Sequence, residues 1–175
     1  MTAPLDHMMI LPVILPAMVA AFLVIALRHH LKGQRIVSIA VTLLLTGVAA
    51  ILFAQASDGT VRAYRLGDWP APYGITLVLD RLSATLLLLT AALALCVVVY
   101  AAGGVDTRGR HFHPLFQFQL MGINGAFLTG DVFNLFVFFE VMLIASYGLM
   151  LHGGGPGRLK AGFQYVAINL LASVV

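Results

Sequence analysis

Apolar residues in this chain come in runs of about 20, separated by short stretches that hold almost all of the charge. At 1.5 Å rise per residue such a run crosses roughly 30 Å of hydrocarbon, so the pattern predicts membrane-spanning helices. The predicted spans lie at about 8–27, 36–55, 78–101, 112–130, 132–151 and 160–175, with residues 56–77 as one long loop. The expected fold class is an all-α, polytopic membrane protein, a bundle of about six transmembrane helices with the last one truncated. A closed β-barrel also satisfies its backbone in lipid, but it needs short alternating segments, and none is visible.

Charge orients the bundle. The loops RHHLKGQR, GVDTRGRHFH and HGGGPGRLKAG carry three, two and two Lys or Arg residues and fall on one side, which the positive-inside rule makes cytoplasmic. The other side holds the N-terminus, the long loop with Arg62 and Arg65 balanced by Asp58 and Asp68, and a short TGD connection. The N-terminus is therefore expected outside.

Local signals refine three segments. In TVRAYRLGDWPAPYGITLVLD, β-favouring residues (Val61, Tyr64, Ile75, Thr76, Val78) flank a turn region from Gly67 to Gly74 that contains Pro70 and Pro72, which fits a short hairpin on the membrane surface. Trp69 and Tyr73 would then sit at headgroup level. Pro12 and Pro16 lie within the first span; each removes a backbone donor, so a bend is expected there and neighbouring helices must cover the freed carbonyls. The last segment, LKAGFQYVAINLLASVV, is about 16 residues long, short for a crossing, and reads as part of a longer protein.

Composition narrows the function. With 61% hydrophobic and 10% charged residues the chain has too little polar surface for a water-soluble globule. Its net charge of +3 is spread over loops, which argues for membrane orientation and against nucleic-acid binding. Cys96 stands alone in an apolar run, so no disulfide framework or cysteine metal site can form within the chain. The first span is preceded by Asp6 and His7 and followed by Arg28, Lys32 and Arg35, the reverse of a cleavable signal peptide.

The candidate chemistry centres on Glu140, the only glutamate, near the midpoint of GDVFNLFVFFEVMLIASYGLML and roughly 13 Å along the helix from Asp131. A carboxylate at bilayer centre costs from about 3 to more than 10 kcal/mol, which favours the neutral acid or a paired charge. Two states held close in energy by a neighbour or by water are what a proton relay needs. Phe133, Phe136, Val137, Leu143, Ile144 and Tyr147 share the Glu140 face at helical spacing, so Tyr147 offers one hydroxyl there.

Supporting candidates are weaker. Asn134 suits an interhelical hydrogen bond, and Asp131 reads first as the N-cap of the fifth helix, with a proton-exit role second. Asp80 and Arg81 open the third span near the outer interface; a helix N-terminus favours Asp80, while Arg81 can snorkel outward or pair with another helix. His111 and His113 lack a third ligand at metal spacing, His29 and His30 read as solvated, and GGGPGRLK lacks the ending of a phosphate-binding loop. Neither a cofactor nor a metal is expected.

The stretch QLMGINGAFLTGDVFNLFVFFEVMLIASYGLM, residues 119–150, resembles the D-type subunits of the Mrp-type multisubunit monovalent cation/proton antiporters. The TGD turn, the FNLFVFFE run and the SYGL ending occur together, YRLGDWPAPYGITLVLDRLSA looks like the same family's second loop and third helix, and QYVAINLLAS extends the likeness to the end. The family is related to antiporter-like subunits of respiratory complex I and membrane-bound hydrogenases, which share a glutamate in the fifth helix; Glu140 matches it.

The resemblance implies a switchable ion pair between Glu140 and a lysine on a seventh helix, proton movement coupled to a monovalent cation, sodium being favoured, and work in a hetero-oligomeric complex of membrane subunits in a bacterial inner membrane. This chain stops before that seventh helix. It is read as a transporter subunit's N-terminal part and not as an enzyme. The rivals are a proton-pumping subunit of a quinone oxidoreductase or hydrogenase complex, and a structural membrane scaffold in which Glu140 only packs.

Overall fold

The computed structural model describes residues 6–69 and 74–174. The described residues form six α-helices: α1 (Leu11–Ile25), α2 (Leu31–Ala56), α3 (Arg81–Ala102), α4 (Phe112–Leu128), α5 (Val132–Met150) and α6 (Pro156–Val174). Two strands, β1 (Arg62–Arg65) and β2 (Thr76–Leu79), stand between α2 and α3. Four helical stretches are long and apolar enough to cross a membrane: His7–Ile25, Leu31–Ala56, Arg81–Ala102 and Val132–Met150. α4 has 17 residues and carries His113, Gln117, Gln119 and Asn124, while the first turns of α6 are polar.

Helix ends depart from the sequence reading in three places. α2 begins at Leu31, so Lys32 and Arg35 belong to its first turns rather than to a loop. Its 26 residues extend for about 39 Å, beyond the hydrocarbon core, and long basic side chains suit that overhang. α6 starts four residues earlier than expected, with Pro156 in the first position, where a missing N–H costs nothing. A 3₁₀ turn, Asp6–Ile10, precedes α1 and puts Pro12 in its first turn, so Pro16 alone interrupts the α-helical ladder.

The carbonyl that Pro16 leaves free is covered. Pro16 cannot donate to Pro12, four residues back, and Asn124 Nδ2 from α4 donates to that Pro12 oxygen at 2.9 Å in a buried position. The first helix is thereby tied to α4.

The hairpin forms as expected, antiparallel, with Arg62 opposite Leu79 and Arg65 opposite Thr76. Leu77 and Leu79 face inward and are fully buried, and the TGD connection adds to the edge of β2 through Gly130 N–H donating to Thr76 O at 2.9 Å and a bridge between Leu77 and Thr129. Trp69 is exposed. Pro70, Pro72 and Tyr73 of the expected turn, and Val175, lie outside the described residues.

Small side chains set the helix spacing. α3 buries Ala84, Leu87, Ala91, Ala94, Val98 and Ala101, a three-four repeat that packs against α2. α4 lies between α1 and α5, and a Cβ placed on Gly122 would come within 2.8 Å of the Met142 backbone nitrogen, so glycine allows α5 its close approach.

The three basic loops meet at one end. The Arg35 guanidinium forks onto Asp106 with two bonds of 2.6 Å, His113 Nε2 reaches Asp106 Oδ2 at 3.1 Å, and His152 Nε2 lies 3.0 Å from Val105 O. The first 3₁₀ turn, the hairpin and the TGD connection gather at the other end. The chain is thus a mostly helical, multi-pass bundle with the same-side grouping of loops that the charge pattern predicts.

Candidate functional site

α5 starts where Asp131 stops the TGD connection from continuing as extended chain. Asp131 Oδ1 accepts the N–H groups of Phe133 at 2.8 Å and Asn134 at 3.4 Å, and its other oxygen takes the side-chain amide of Asn134. Both oxygens are therefore occupied within one turn, and Asn134 spends its donor on the cap rather than on another helix.

The face that α5 turns to α4 is defined by Phe138 against Gly125, Met142 against Gly122 and Gly148 against Leu115. At about 100° per residue, Glu140 sits roughly 180° from the midpoint between Phe138 and Met142. Glu140 therefore points away from α4. Its flank is otherwise apolar and uncovered: Phe133 is 73% exposed, Ile144 64% and Phe136 50%. Glu140 itself is half-buried and, among the described residues, makes no hydrogen bond or ion pair.

Tyr147 lies two turns further along the same flank. Its ring meets Tyr165 of α6 edge-on at 5.6 Å, and Ser146 Oγ lies 3.4 Å from the Tyr165 hydroxyl. α6 thus meets α5 at Tyr147, about 10 Å along the axis from Glu140.

Asp80 and Arg81 stand at the hairpin end. Asp80 caps α3 with a reciprocal pair: its Oδ1 accepts Ser83 N–H at 2.7 Å and its own N–H donates to Ser83 Oγ at 2.9 Å. The Ser83 backbone bond holds the Asp80 carboxyl below the ordinary carboxylate range. Arg81 donates to Ser57 O at 2.7 Å, bracing the end of α2 rather than reaching freely outward. The structure brings Asp131 together with Asn134, and leaves Asp80, Arg81 and Asp131 apart from Glu140.

His111 is exposed and His113 fully buried, so the histidine pair looks into two different surroundings. The Arg35, Asp106 and His113 cluster is a polar centre that sequence reasoning did not assemble. Its readable signal was the spacing of His113, Gln117 and Asn124, which marks one face of an otherwise apolar helix.

Comparison with known proteins gives the following. No family model matches the chain. Over its whole length it is 52% identical to a probable K(+)/H(+) antiporter D-type subunit of Rhizobium meliloti, covering 33% of that protein. It is 37% identical to the Na(+)/H(+) antiporter D-type subunit of Alkalihalophilus pseudofirmus over 98% of this chain and 35% of that one. Among solved structures it resembles a chain of the Mrp complex from Dietzia sp. DQ12-45-1b, with a TM-score of 0.91 and 34% identity over 98% of this chain and 33% of the other. It also resembles a chain of the membrane-bound sulfane sulfur reductase, an archaeal respiratory membrane complex, with a TM-score of 0.88 and 27% identity over 95% of this chain and 34% of the other. The chain spans about a third of the length of each of these relatives.

Proposed function

Since this chain belongs to the D-type family of cation/proton antiporter subunits, we propose that it is part of a membrane subunit of a monovalent cation/proton antiporter complex in which Glu140 takes up and releases the proton. The observation that carries this reading is the position of Glu140: a mid-helix carboxyl turned away from α4, on a flank whose apolar residues Phe133, Phe136 and Ile144 are exposed. Such a flank needs a cover, because an isolated carboxylate against hydrocarbon is strongly disfavoured.

The cover that the family resemblance implies is a further helix carrying a lysine. With the ammonium close, the carboxylate is the stable form and the proton leaves; with the ammonium withdrawn, the neutral acid is favoured and a proton is taken up. Exchange follows when the cation's movement decides which arrangement holds. Tyr147 and the Tyr165 hydroxyl lie along the same flank toward the basic-loop end and can pass hydrogen bonds in that direction.

The compartment belongs to the same reading: a multi-pass protein of a bacterial inner membrane, six crossings, the basic loops inside and the N-terminus outside. The partners are other membrane subunits of the complex. Sodium is the cation that the sequence suggested, while the relatives carry both potassium and sodium in their names, so both cations need testing.

The experiment is exchange in everted vesicles holding the complete complex, read as collapse of a proton gradient on adding potassium or sodium. Glu140→Gln is expected to abolish exchange while the subunits still copurify; retained exchange with normal assembly leaves Glu140 a packing residue and the scaffold reading standing. A second reading has one specific support, the likeness to the sulfane sulfur reductase chain: a proton-pumping part of a respiratory complex. Exchange that requires an electron donor would favour it.

A further inference from the structure

A second line of buried polar side chains runs between α2 and α4, on the side of α4 that does not meet α5. From the basic-loop end, α2 contributes Gln34, Ser38 and Thr42 at intervals of one turn, and α4 contributes His113 and Gln117. Asp106, Ser38, Thr42, His113 and Gln117 are each fully buried. Gln117 Nε2 donates to Ser38 Oγ at 3.0 Å and to Thr42 Oγ1 at 3.4 Å. Thr42 spends its own proton on Ser38 O at 2.8 Å, so its oxygen can only accept, which turns the Gln117 amide nitrogen toward α2 and its Oε1 away.

On the α4 side of this line, Nδ1 of His113 and Oε1 of Gln117, one turn apart, are buried and have no protein partner among the described residues. The tautomer follows from Asp106. Its carboxyl is held below the ordinary range, chiefly by the Arg35 fork and against the effect of burial, so near neutral pH it accepts only. The His113 ring therefore carries its hydrogen on Nε2, toward Asp106, and presents a lone pair at Nδ1. Two buried acceptors a turn apart lack a hydrogen between them. A proton on Nδ1, or one water giving a hydrogen to each, supplies it.

A cleft of about 430 Å³ reaches Asp106 from outside; its lining includes Arg28, Arg108, Arg110 and Gln34, and Asp106 is one hydrogen bond from the Nε2 edge of the His113 ring. The charged and titratable groups acting on His113 are Asp106 from the loop, Arg35 from α2 and His152 beyond α5, the last with its ring tilted against Phe112, which meets His113 edge-on.

We propose that His113 is a second proton-binding group of this chain, separate from Glu140, loaded at Nδ1 by water and held in its charged form by Asp106 and Gln117. In the loading step that water gives one proton to Nδ1 and the hydroxide left behind departs, while the arginines of the cleft beside Asp106 favour an anion and disfavour metal cations. In the reverse step the imidazolium returns that proton to water or hydroxide. From the α4–α5 register, His113 lies level with residue 150, about 15 Å along the axis from Glu140, so the two are separate sites. Occupancy of His113 sets the pH range in which exchange runs. The inference rests on the antiporter reading above.

The test is the pH profile of cation-driven exchange by the complete complex in everted vesicles. Wild type is expected to show a protonation limb in its pH profile; His113→Gln removes that limb and lowers the rate by roughly tenfold at its optimum, with the subunits still copurifying. An assembled His113→Gln complex with the wild-type limb overturns the proposal. If that variant fails to assemble, Gln117→Leu decides, since it leaves the Arg35, Asp106 and His113 bonds in place: a shifted limb supports the proposal and an unmoved one overturns it. Glu140→Gln run in parallel separates the two readings, because exchange surviving there removes the relay role of Glu140 whatever the His113 profile does.

Discussion

The side-chain amide of Asn124 donates to the backbone oxygen of Pro12 at 2.9 Å, and that oxygen is the one the ring of Pro16 leaves without a donor. The proline and the asparagine are therefore two halves of one arrangement, although 112 positions separate Asn124 from the oxygen it covers. Asn124→Leu is expected to destabilise the protein by about 2 kcal/mol, because a buried carbonyl loses its only side-chain donor. In a Pro16→Ala background the helix supplies its own N–H to Pro12, and the same leucine substitution should then cost much less. Thermal unfolding in detergent of the four proteins of this cycle checks the coupling.

Helix spacing offers a second check. An added Cβ at Gly122 would lie within 3 Å of the Met142 backbone, which cannot move like a side-chain tip, whereas Gly47 on α2 has open space around it. Gly122→Ala is expected to lower stability by about 2 kcal/mol and to displace α5, reducing exchange along with it. Gly47→Ala should leave both unchanged within error. Equal behaviour of the two variants would mean that α4 and α5 do not pack as described.

The Asp106 carboxyl supplies the pH prediction. Its folded value lies below the ordinary one, first through the Arg35 hydrogen bonds, with burial opposing and His113 adding to the lowering. A depressed carboxylate stabilises the fold above its unfolded value, near pH 4, and that contribution is lost as pH falls through the lower folded value. The part of the unfolding temperature that Asp106 supplies, read as wild type against Asp106→Asn, should therefore hold steady from neutral pH to about pH 4 and be lost below it. Asp106→Asn should start about 3 kcal/mol lower, because Arg35 and His113 lose their anion, and should lack that part of the acid drop.

At the hairpin end, Asp80→Ala removes the α3 cap and is expected to cost about 1 kcal/mol, with Asp80→Asn costing much less because asparagine also caps. The comparison is read from thermal unfolding at neutral pH. An asparagine variant as weak as the alanine one would shift the explanation from capping to charge.

Several of these features were legible in the sequence alone. Asp131 in TGD and Asp80 in LVLDRLSA stand directly before apolar helical runs, the usual place for a cap, and both act as one. The β-branched and aromatic residues flanking a glycine- and proline-rich stretch marked the hairpin. The two prolines pointed to freed carbonyls, yet only the structure assigns Pro12 to the first turn and Pro16 to the break.

Other features were not legible, for a reason that differs from residue to residue. α5 is apolar nearly all round, so no hydrophobic face told which way Glu140 points. Asp106 looked like one charge in a basic loop; its role appears when Arg35, 71 positions away, folds over it. Gln117 gave no sign that half of its amide would find partners on α2 and half would not.

By itself the sequence determined that this is a multi-pass helical membrane protein, roughly which segments are helices, and the caps at Asp80 and Asp131. These are local properties, set by runs of hydropathy, by 1.5 Å of rise per residue and by single capping side chains. The tertiary structure decided direction and partnership: Glu140 away from α4, Asn124 on Pro12, Asp106 between Arg35 and His113. Those depend on how helices distant in sequence rotate against one another, and in a chain so uniformly apolar that rotation is set by small residues and buried hydrogen bonds, which act only once the helices are in contact.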